Sequence, residues 1–256
     1  MEKTVLFDVK DRVCTLTLNR PKIMNAFNQQ MIKEFQDALD RINSDKEINV
    51  VILEGAGGNF SSGADLSVRS LPLSADDLHD FMKSFGKWIQ TIKDLGQPVI
   101  TKVRGLAVGG GANLALSGDF VVATHQARFL QIFIHLGLIP DCGGTYFLPR
   151  LVGLAKAREL AMLGEEISGE DAASSGLIYR SCSDENLDNV VSTLAKKISE
   201  KSPVAMSLIK MGLDKSLAMS LDEILAWEAS KQTELLQSAE HQKYLNWFLQ
   251  TRKSKA

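Results

Sequence analysis

The sequence predicts an α/β fold with a helical C-terminal extension, and three observations carry that prediction. Short, mostly β-branched runs end at glycine, as in Val50-Val51-Ile52-Leu53 before Gly55. These runs alternate with capped amphipathic helical stretches, and strand–helix–strand alternation implies parallel crossovers. Past about residue 154 the pattern becomes mostly helical, with no Pro/Ser-rich linker, repeat or low-complexity tract dividing the chain.

The elements follow in order. Val5-Leu6-Phe7 and the alternating Val13-Cys14-Thr15-Leu16-Thr17-Leu18 open the chain as strands. From Asn28, apolar residues recur at Met31, Phe35, Leu39 and Ile42, a helical stripe with Asn28 placed to cap it. After the strand at Val50, a second helix starts near Ser74, where Asp77 completes a capping box. Its apolar face is Leu78, Phe81, Phe85, Trp88 and Ile92. Pro98-Val99-Ile100 opens a strand that ends at Gly105, and Phe120-Val121-Val122-Ala123 reads as another. Ser202-Pro203 is an N-cap with proline at the first helical position, and Ser220 with Glu223 forms a further capping box.

Composition narrows the function classes. At 256 residues, 45% hydrophobic and 23% charged, the chain has ample material for a globular core. A net charge of −2 gives no pull toward nucleic acid or an anionic membrane surface. No apolar run approaches the roughly twenty residues of a membrane helix. The start lacks the pattern of a secretory signal. Three cysteines without a CxxC pair fit a reducing, cytoplasmic compartment and argue against a disulfide framework or thiolate zinc site.

Two glycine-rich segments make unusual backbone demands: Gly55 to Leu66, and Gly105 to Leu114. The first begins like a dinucleotide fingerprint, but Phe60 stands where the third glycine belongs. The second lacks the Gly-Lys-Ser/Thr ending of a phosphate loop. Glycine triplets permit close helix–strand packing. They also leave backbone N–H groups free to face an anion. One N–H from each segment would make a two-donor oxyanion hole, each donor worth about 3–4 kcal/mol.

At these residues the sequence resembles the crotonase superfamily, also called the enoyl-CoA hydratase/isomerase family. The matching blocks are Leu18-Asn19-Arg20-Pro21 with Asn25-Ala26, Phe60 to Leu66, Val108-Gly109-Gly110-Gly111, Leu136 to Pro140, Gly143-Gly144-Thr145 and Leu148 to Gly153. Ile167 to Ala172 and Gly176-Leu177-Ile178 extend the likeness, which runs from about residue 4 to the C-terminus. The resemblance implies a ββα spiral acyl-CoA-binding core over 1–200 and a helical trimerisation region over 201–256, with trimers often paired into hexamers. It implies oxyanion donors at the N–H of Ala64 and Gly110. Lys22, Ala26, Ser62, Ala64, Asp65 and Leu66 would line the CoA site, and Lys22 also reads as a plain solvated loop lysine. Coenzyme A would be part of an acyl-CoA thioester substrate, with no separate cofactor.

Members of this superfamily share enolate stabilisation and differ in acid/base residues. Hydration in this family resembles two-glutamate chemistry, and the matching positions here are Asn113 and Phe133. Neither side chain can accept a proton at neutral pH. A carboxylate stands instead in Pro140-Asp141-Cys142-Gly143-Gly144-Thr145, where Asp141 resembles the catalytic acid of Δ3,Δ2-enoyl-CoA isomerases and of ring-modifying phenylacetyl-CoA-pathway isomerases. One carboxylate can remove a proton from C2 and return one to C4. Phe133, Leu136 and Ile139 promise an apolar setting that would raise the Asp141 pKa. On the residues alone Asp141 also reads as a helix N-cap; the resemblance favours the base. Dienoyl-CoA isomerases add a glutamate, and chlorobenzoyl-CoA dehalogenases a tryptophan, where Phe133 stands, so both fit less well. Hydratase activity with a displaced acid, and a non-catalytic acyl-CoA binder, are the alternatives.

The remaining candidates are weaker. His79, His125, His135 and His241 have no metal-ligand spacing. Ser61-Ser62 lacks the nucleophile elbow of a serine hydrolase, and Cys142 reads as a small buried structural thiol. Leu221, Ile224, Trp227, Tyr244, Trp247 and Phe248 suit a docking or subunit surface. By resemblance, Phe248 and Lys253 border a CoA site or, more plainly, pack within the chain.

Overall fold

The computed structural model describes residues 2–65 and 74–253. Strands β1 (Val5–Lys10), β2 (Val13–Leu18) and β3 (Val50–Gly55) open it, with α1 (Gln29–Ser44) between β2 and β3. After α2 (Ala75–Asp94) come β4 (Val99–Val103), β5 (Leu106–Val108), α3 (Gly110–Leu116) and β6 (Phe120–Thr124). β7 (Arg128–Leu130), α4 (Gly144–Arg158), β8 (Glu166–Ser168), α5 (Gly169–Ser174), β9 (Arg180–Cys182) and α6 (Asp184–Ser199) follow. The chain ends in α7 (Pro203–Ser216), α8 (Leu221–Leu236) and α9 (Ala239–Lys253).

The main sheet has six strands in the order β1-β2-β3-β4-β6-β9. The β1–β2 hairpin is antiparallel, and the pairings from β2 through β9 are parallel, as the alternation predicts. A smaller sheet, β5-β7-β8, turns off it through the two-residue link between β4 and β5.

Both faces of the main sheet are covered, and the two-residue period of a strand sorts its side chains between them. Val51, Leu53, Val99, Val103, Val121 and Ala123 join α1 and α2 in the larger core. Val50, Ile100 and Val122 pack against Leu187, Val191, Ala195 and Ile198 of α6. The predicted α1 stripe is buried throughout: Met31, Phe35, Leu39 and Ile42 face inward.

Helix starts are set by their caps. Asn28 Oδ1 accepts the Met31 N–H at 2.9 Å. Ser74 with Asp77, and Ser220 with Glu223, close reciprocal capping boxes, and Ser202 Oγ accepts the Ala205 N–H at 3.0 Å. Each such cap stabilises its helix by about 1 kcal/mol.

One expected burial fails. Leu78 is 46% exposed, because the aromatic cluster of Phe27, Phe35, Phe85 and Trp88 engages α2 only from its middle onward. Of the residues suited to a docking surface, Leu221, first residue of α8, is 70% exposed, while Ile224 one turn on is buried within the chain.

Candidate active site

The first glycine-rich segment leaves β3 and folds back over the turn that follows β2. Asn25 is the hub of that junction: it is fully buried and holds φ 54°. Its Nδ2 donates to the carbonyls of Ala56 and Asn59 at 2.9 and 2.8 Å, and its Oδ1 accepts the Arg20 N–H at 2.8 Å. Arg20 then reaches across, donating from Nη1 to the Ala26 carbonyl at 2.7 Å and to Asp65 Oδ2 at 3.0 Å. Ser62 is tied to the same turn, its N–H donating to the Met24 carbonyl at 2.8 Å. Lys22, in the exposed turn at Pro21–Ile23, Ala26, Ser62, Ala64 and Asp65 are therefore brought together. Leu66 lies outside the described residues, as does the side chain of Lys253.

Ala64 pairs with Phe27 in a short parallel bridge. In that bridge Phe27 donates to the Gly63 carbonyl and Asp65 donates to the Phe27 carbonyl, which leaves the Ala64 N–H facing the other way. The second glycine-rich segment lies directly beside it. Ser61 bridges to Ala107 of β5, and a Cβ placed on Gly63 would stand 3.3 Å from the Gly110 nitrogen. Gly109 turns the chain from β5 into α3 at φ 56°, ψ −123°, which an L side chain rarely adopts. Gly111 lets α3 approach closely, since a Cβ there would sit 2.5 Å from the Ser61 carbonyl oxygen. Gly110, at the first position of α3, has an N–H with no intrahelical acceptor. Among the described residues, the N–H groups of Ala64 and Gly110 meet no acceptor.

The third wall comes from the segment between β7 and α4. Phe133 is buried in a 3₁₀ turn at Ile132–Leu136, and its Cζ lies 3.6 Å from the Cβ position of Gly109. Asp141 Oδ1 lies 3.5 Å from the Cβ position of Gly110 and is buried without a hydrogen-bond partner among the described residues. Burial pushes the Asp141 carboxyl above its ordinary range, and the Cys142 thiol and the residue's own backbone N–H draw it part of the way back. The helix-cap reading of Asp141 is not what the chain adopts. Gly143 occupies the N-cap of α4 with no side-chain capping bond. The Cys142 thiol is pushed well above its ordinary range by burial and by the adjoining Asp141 charge, which leaves it unreactive.

Leu136 and Ile139, expected beside Asp141 as part of an apolar setting, are exposed at 39% and 80%. The turn ending at Gly137 carries them outward. Asn113 and Gln131 take a place that sequence reasoning missed. Asn113 Nδ2 donates to the Asp141 carbonyl at 2.8 Å, and Gln131 Nε2 donates to Asn113 Oδ1 at 2.8 Å. The signal for Gln131 was available: it is the polar residue within the apolar run Phe129-Leu130-Gln131-Ile132-Phe133. Two of the histidines hold structural contacts: His135 Nε2 lies 2.9 Å from the Gly164 carbonyl and His125 Nδ1 lies 3.0 Å from Ser181 Oγ. No group of three His, Cys, Asp or Glu among the described residues could hold a metal ion.

Comparison with known proteins gives the family. Residues 8–255 match the family described as enoyl-CoA hydratase/isomerase. The chain is 37% identical over 255 residues to the 1,2-epoxyphenylacetyl-CoA isomerase of Escherichia coli, covering 98% of this chain and 97% of that protein. It is 32% identical over 250 residues to the short-chain-enoyl-CoA hydratase of Clostridium acetobutylicum, covering 97% and 95%. The crystal structure of an enoyl-CoA hydratase from Bacillus anthracis superposes with a TM-score of 0.93 at 29% identity, covering 97% and 96% of the two chains. Fold, glycine loops and relatives converge, and the chain belongs to the enoyl-CoA hydratase/isomerase family of the crotonase superfamily.

Proposed function

We propose that this protein is an acyl-CoA double-bond isomerase with Asp141 as its proton shuttle. The observation that carries the reading is the buried, unpartnered Asp141 Oδ1 beside Gly110, with Asn113 and Phe133 at the other acid/base positions. The thioester carbonyl oxygen receives the N–H groups of Ala64 and Gly110. Asp141 removes a proton from C2 of a 3-enoyl-CoA. Negative charge spreads onto the thioester oxygen as a dienolate, and the same carboxyl returns the proton to C4. No water is activated, so no second acid is required. The CoA moiety lies along Lys22, Ala26, Ser62 and Asp65, with Phe133 against the acyl end, and no cofactor beyond the substrate's own CoA takes part.

A groove of about 730 Å³ between α2, α4 and α7 reaches Gly143, two residues beyond Asp141, and its lining is mixed, with Ile89, Phe147 and Met211 beside Lys93, Lys210 and Asp214. A relative named as acting on 1,2-epoxyphenylacetyl-CoA supports a ring-bearing acyl group as well as a straight chain. Hydration fits less well, because neither Asn113 nor Phe133 can take a proton from water.

The test is conversion of 3-hexenoyl-CoA to the conjugated 2-enoyl product, followed by ultraviolet absorbance. Wild type is expected to turn over without taking up solvent oxygen, and Asp141→Asn to lose about a hundredfold or more in kcat. A variant that keeps its rate removes Asp141 as the base. Uptake of solvent oxygen replaces isomerisation with hydration. Thermal stabilisation by CoA thioesters without turnover, on ring-bearing as well as straight-chain substrates, replaces it with a non-catalytic binder.

A further inference from the structure

Asn113 and Gln131 form a buried chain that ends on the backbone of Asp141, and the direction of that chain is fixed by chemistry. The Asp141 carbonyl can only accept, so Asn113 must present Nδ2 to it, at 2.8 Å. Asn113 Oδ1 then faces Gln131, which must present Nε2, at 2.8 Å. Gln131 Oε1 is left buried and without a partner among the described residues. Asn113 is fully buried and Gln131 is 5% exposed, so water does not substitute freely for either bond.

The same Asp141 carbonyl also accepts the Gly144 N–H at 2.8 Å, and Gly144 packs so tightly on Asn113 that a Cβ there would stand 2.5 Å from Nδ2. Asn113 lies one turn after Gly110 on α3. One rigid turn of helix thus carries an oxyanion donor at its start and, three residues later, the amide that clamps the loop bearing the carboxylate.

We infer that Asn113, oriented by Gln131, is a positioning residue that sets the distance between Asp141 and the oxyanion site. This rests on Asp141 being the base of the proposed isomerisation. Asn113 itself touches no reacting atom. Its effect passes through where the Asp141 carboxyl stands relative to Gly110. A glutamate at this position would set a carboxylate against a carbonyl oxygen and lose the clamp.

The experiment is a double-mutant cycle on 3-hexenoyl-CoA isomerisation, with a crystal structure of Asn113→Leu. Asn113→Leu is expected to lower kcat tenfold or more with KM within about twofold, and Gln131→Leu to give a smaller loss of the same kind. Asp141→Asn/Asn113→Leu is expected to be no slower than Asp141→Asn alone, because a residue acting only through Asp141 adds nothing once the base is gone. Asn113→Asp is the conservative variant. Protonated, it can donate to the Asp141 carbonyl, so its rate relative to wild type should rise as pH falls. In the crystal structure of Asn113→Leu, the Asp141 carboxyl should move by an ångström or more while Ala64 and Gly110 keep their places. Independent, multiplicative losses in the cycle, or an unmoved Asp141, overturn the inference. If Asp141→Asn instead retains its rate, the proposed base fails, while the crystal structure still decides whether Asn113 positions residue 141.

Discussion

Burial opposes the charge of Asp141, so the base role proposed for it and the stability of the fold would pull in opposite directions at this residue. Burial makes the folded protein bind the Asp141 proton more tightly than the unfolded chain does. Between the unfolded value of about 3.9 and the raised folded value, the native state holds the extra proton, and stability falls as pH rises through that window. Above the window the full penalty of a buried carboxylate is present. Asp141→Asn should therefore melt higher than wild type at pH 7, with the gap closing toward pH 4; an equal or lower melting temperature at pH 7 would sink the argument. The same shift sets the acid limb of kcat/KM, which should fall as pH drops through a pKa above the ordinary aspartate range. A limb at the ordinary value would mean that Asp141 is not the group titrating. At this scale the sequence was informative in a particular way. Asp141, Ala64 and Gly110 were named through the family resemblance, whose motifs are contiguous in the chain. Arg20, Asn25 and Gln131 could not be assigned, since each acts across the fold: Asn25 on carbonyls more than thirty residues away, and Gln131 on a residue in α3.

Elements were legible where they are long, and obscure where they are short. Strand β2 and the capped helices α1 and α2 repeat their period several times, and β3 is a β-branched run closed by Gly55, so pattern alone finds them. Strands β5, β7, β8 and β9 have three residues each, too few to show a period, and they exist because their neighbours offer edges to pair with. Those short strands matter, because β5 and β7 deliver Gly109 and Gln131 to the site. The attachment of α7 was equally hidden. Lys210 is buried on that helix, pairing with Asp119 at 2.8 Å and donating to the carbonyls of Ile92 and Gln97 at 3.1 and 3.4 Å. A lone lysine in a sequence gives no sign of such a role. Removing one partner of a buried ion pair leaves the other charge uncompensated. Lys210→Ala should thus lower unfolding stability by about 3 kcal/mol in urea titrations, while Lys210→Met with Asp119→Leu should recover much of the loss. A loss below about 1 kcal/mol for Lys210→Ala would show that Lys93, which lies 3.9 Å from Asp119, takes over the pairing.

Among the described residues, several large apolar side chains stand open to solvent on the C-terminal helices. On the C-terminal helices Leu213 is 67% exposed, Leu225 51% and Trp247 59%, and no helix among the described residues is long and apolar enough to cross a membrane. A second group, Ile139, Leu154 and Met162, stands out around α4. Large exposed side chains gathered on a few helices suit burial against other protein. A second copy of this chain is the occupant we propose, in a homotrimer or a hexamer of paired trimers. Closed rotational symmetry would cover such a face on every subunit at once. Light scattering after gel filtration should give three or six times the chain mass. Leu225→Glu combined with Trp247→Glu, which places two charges on the C-terminal face, should shift that mass downward while circular dichroism keeps its helical signature. A wild-type mass equal to one chain would refute the assembly. An unchanged mass in the double variant would move the contact to the face around α4, where Leu154→Glu with Met162→Glu should then dissociate it.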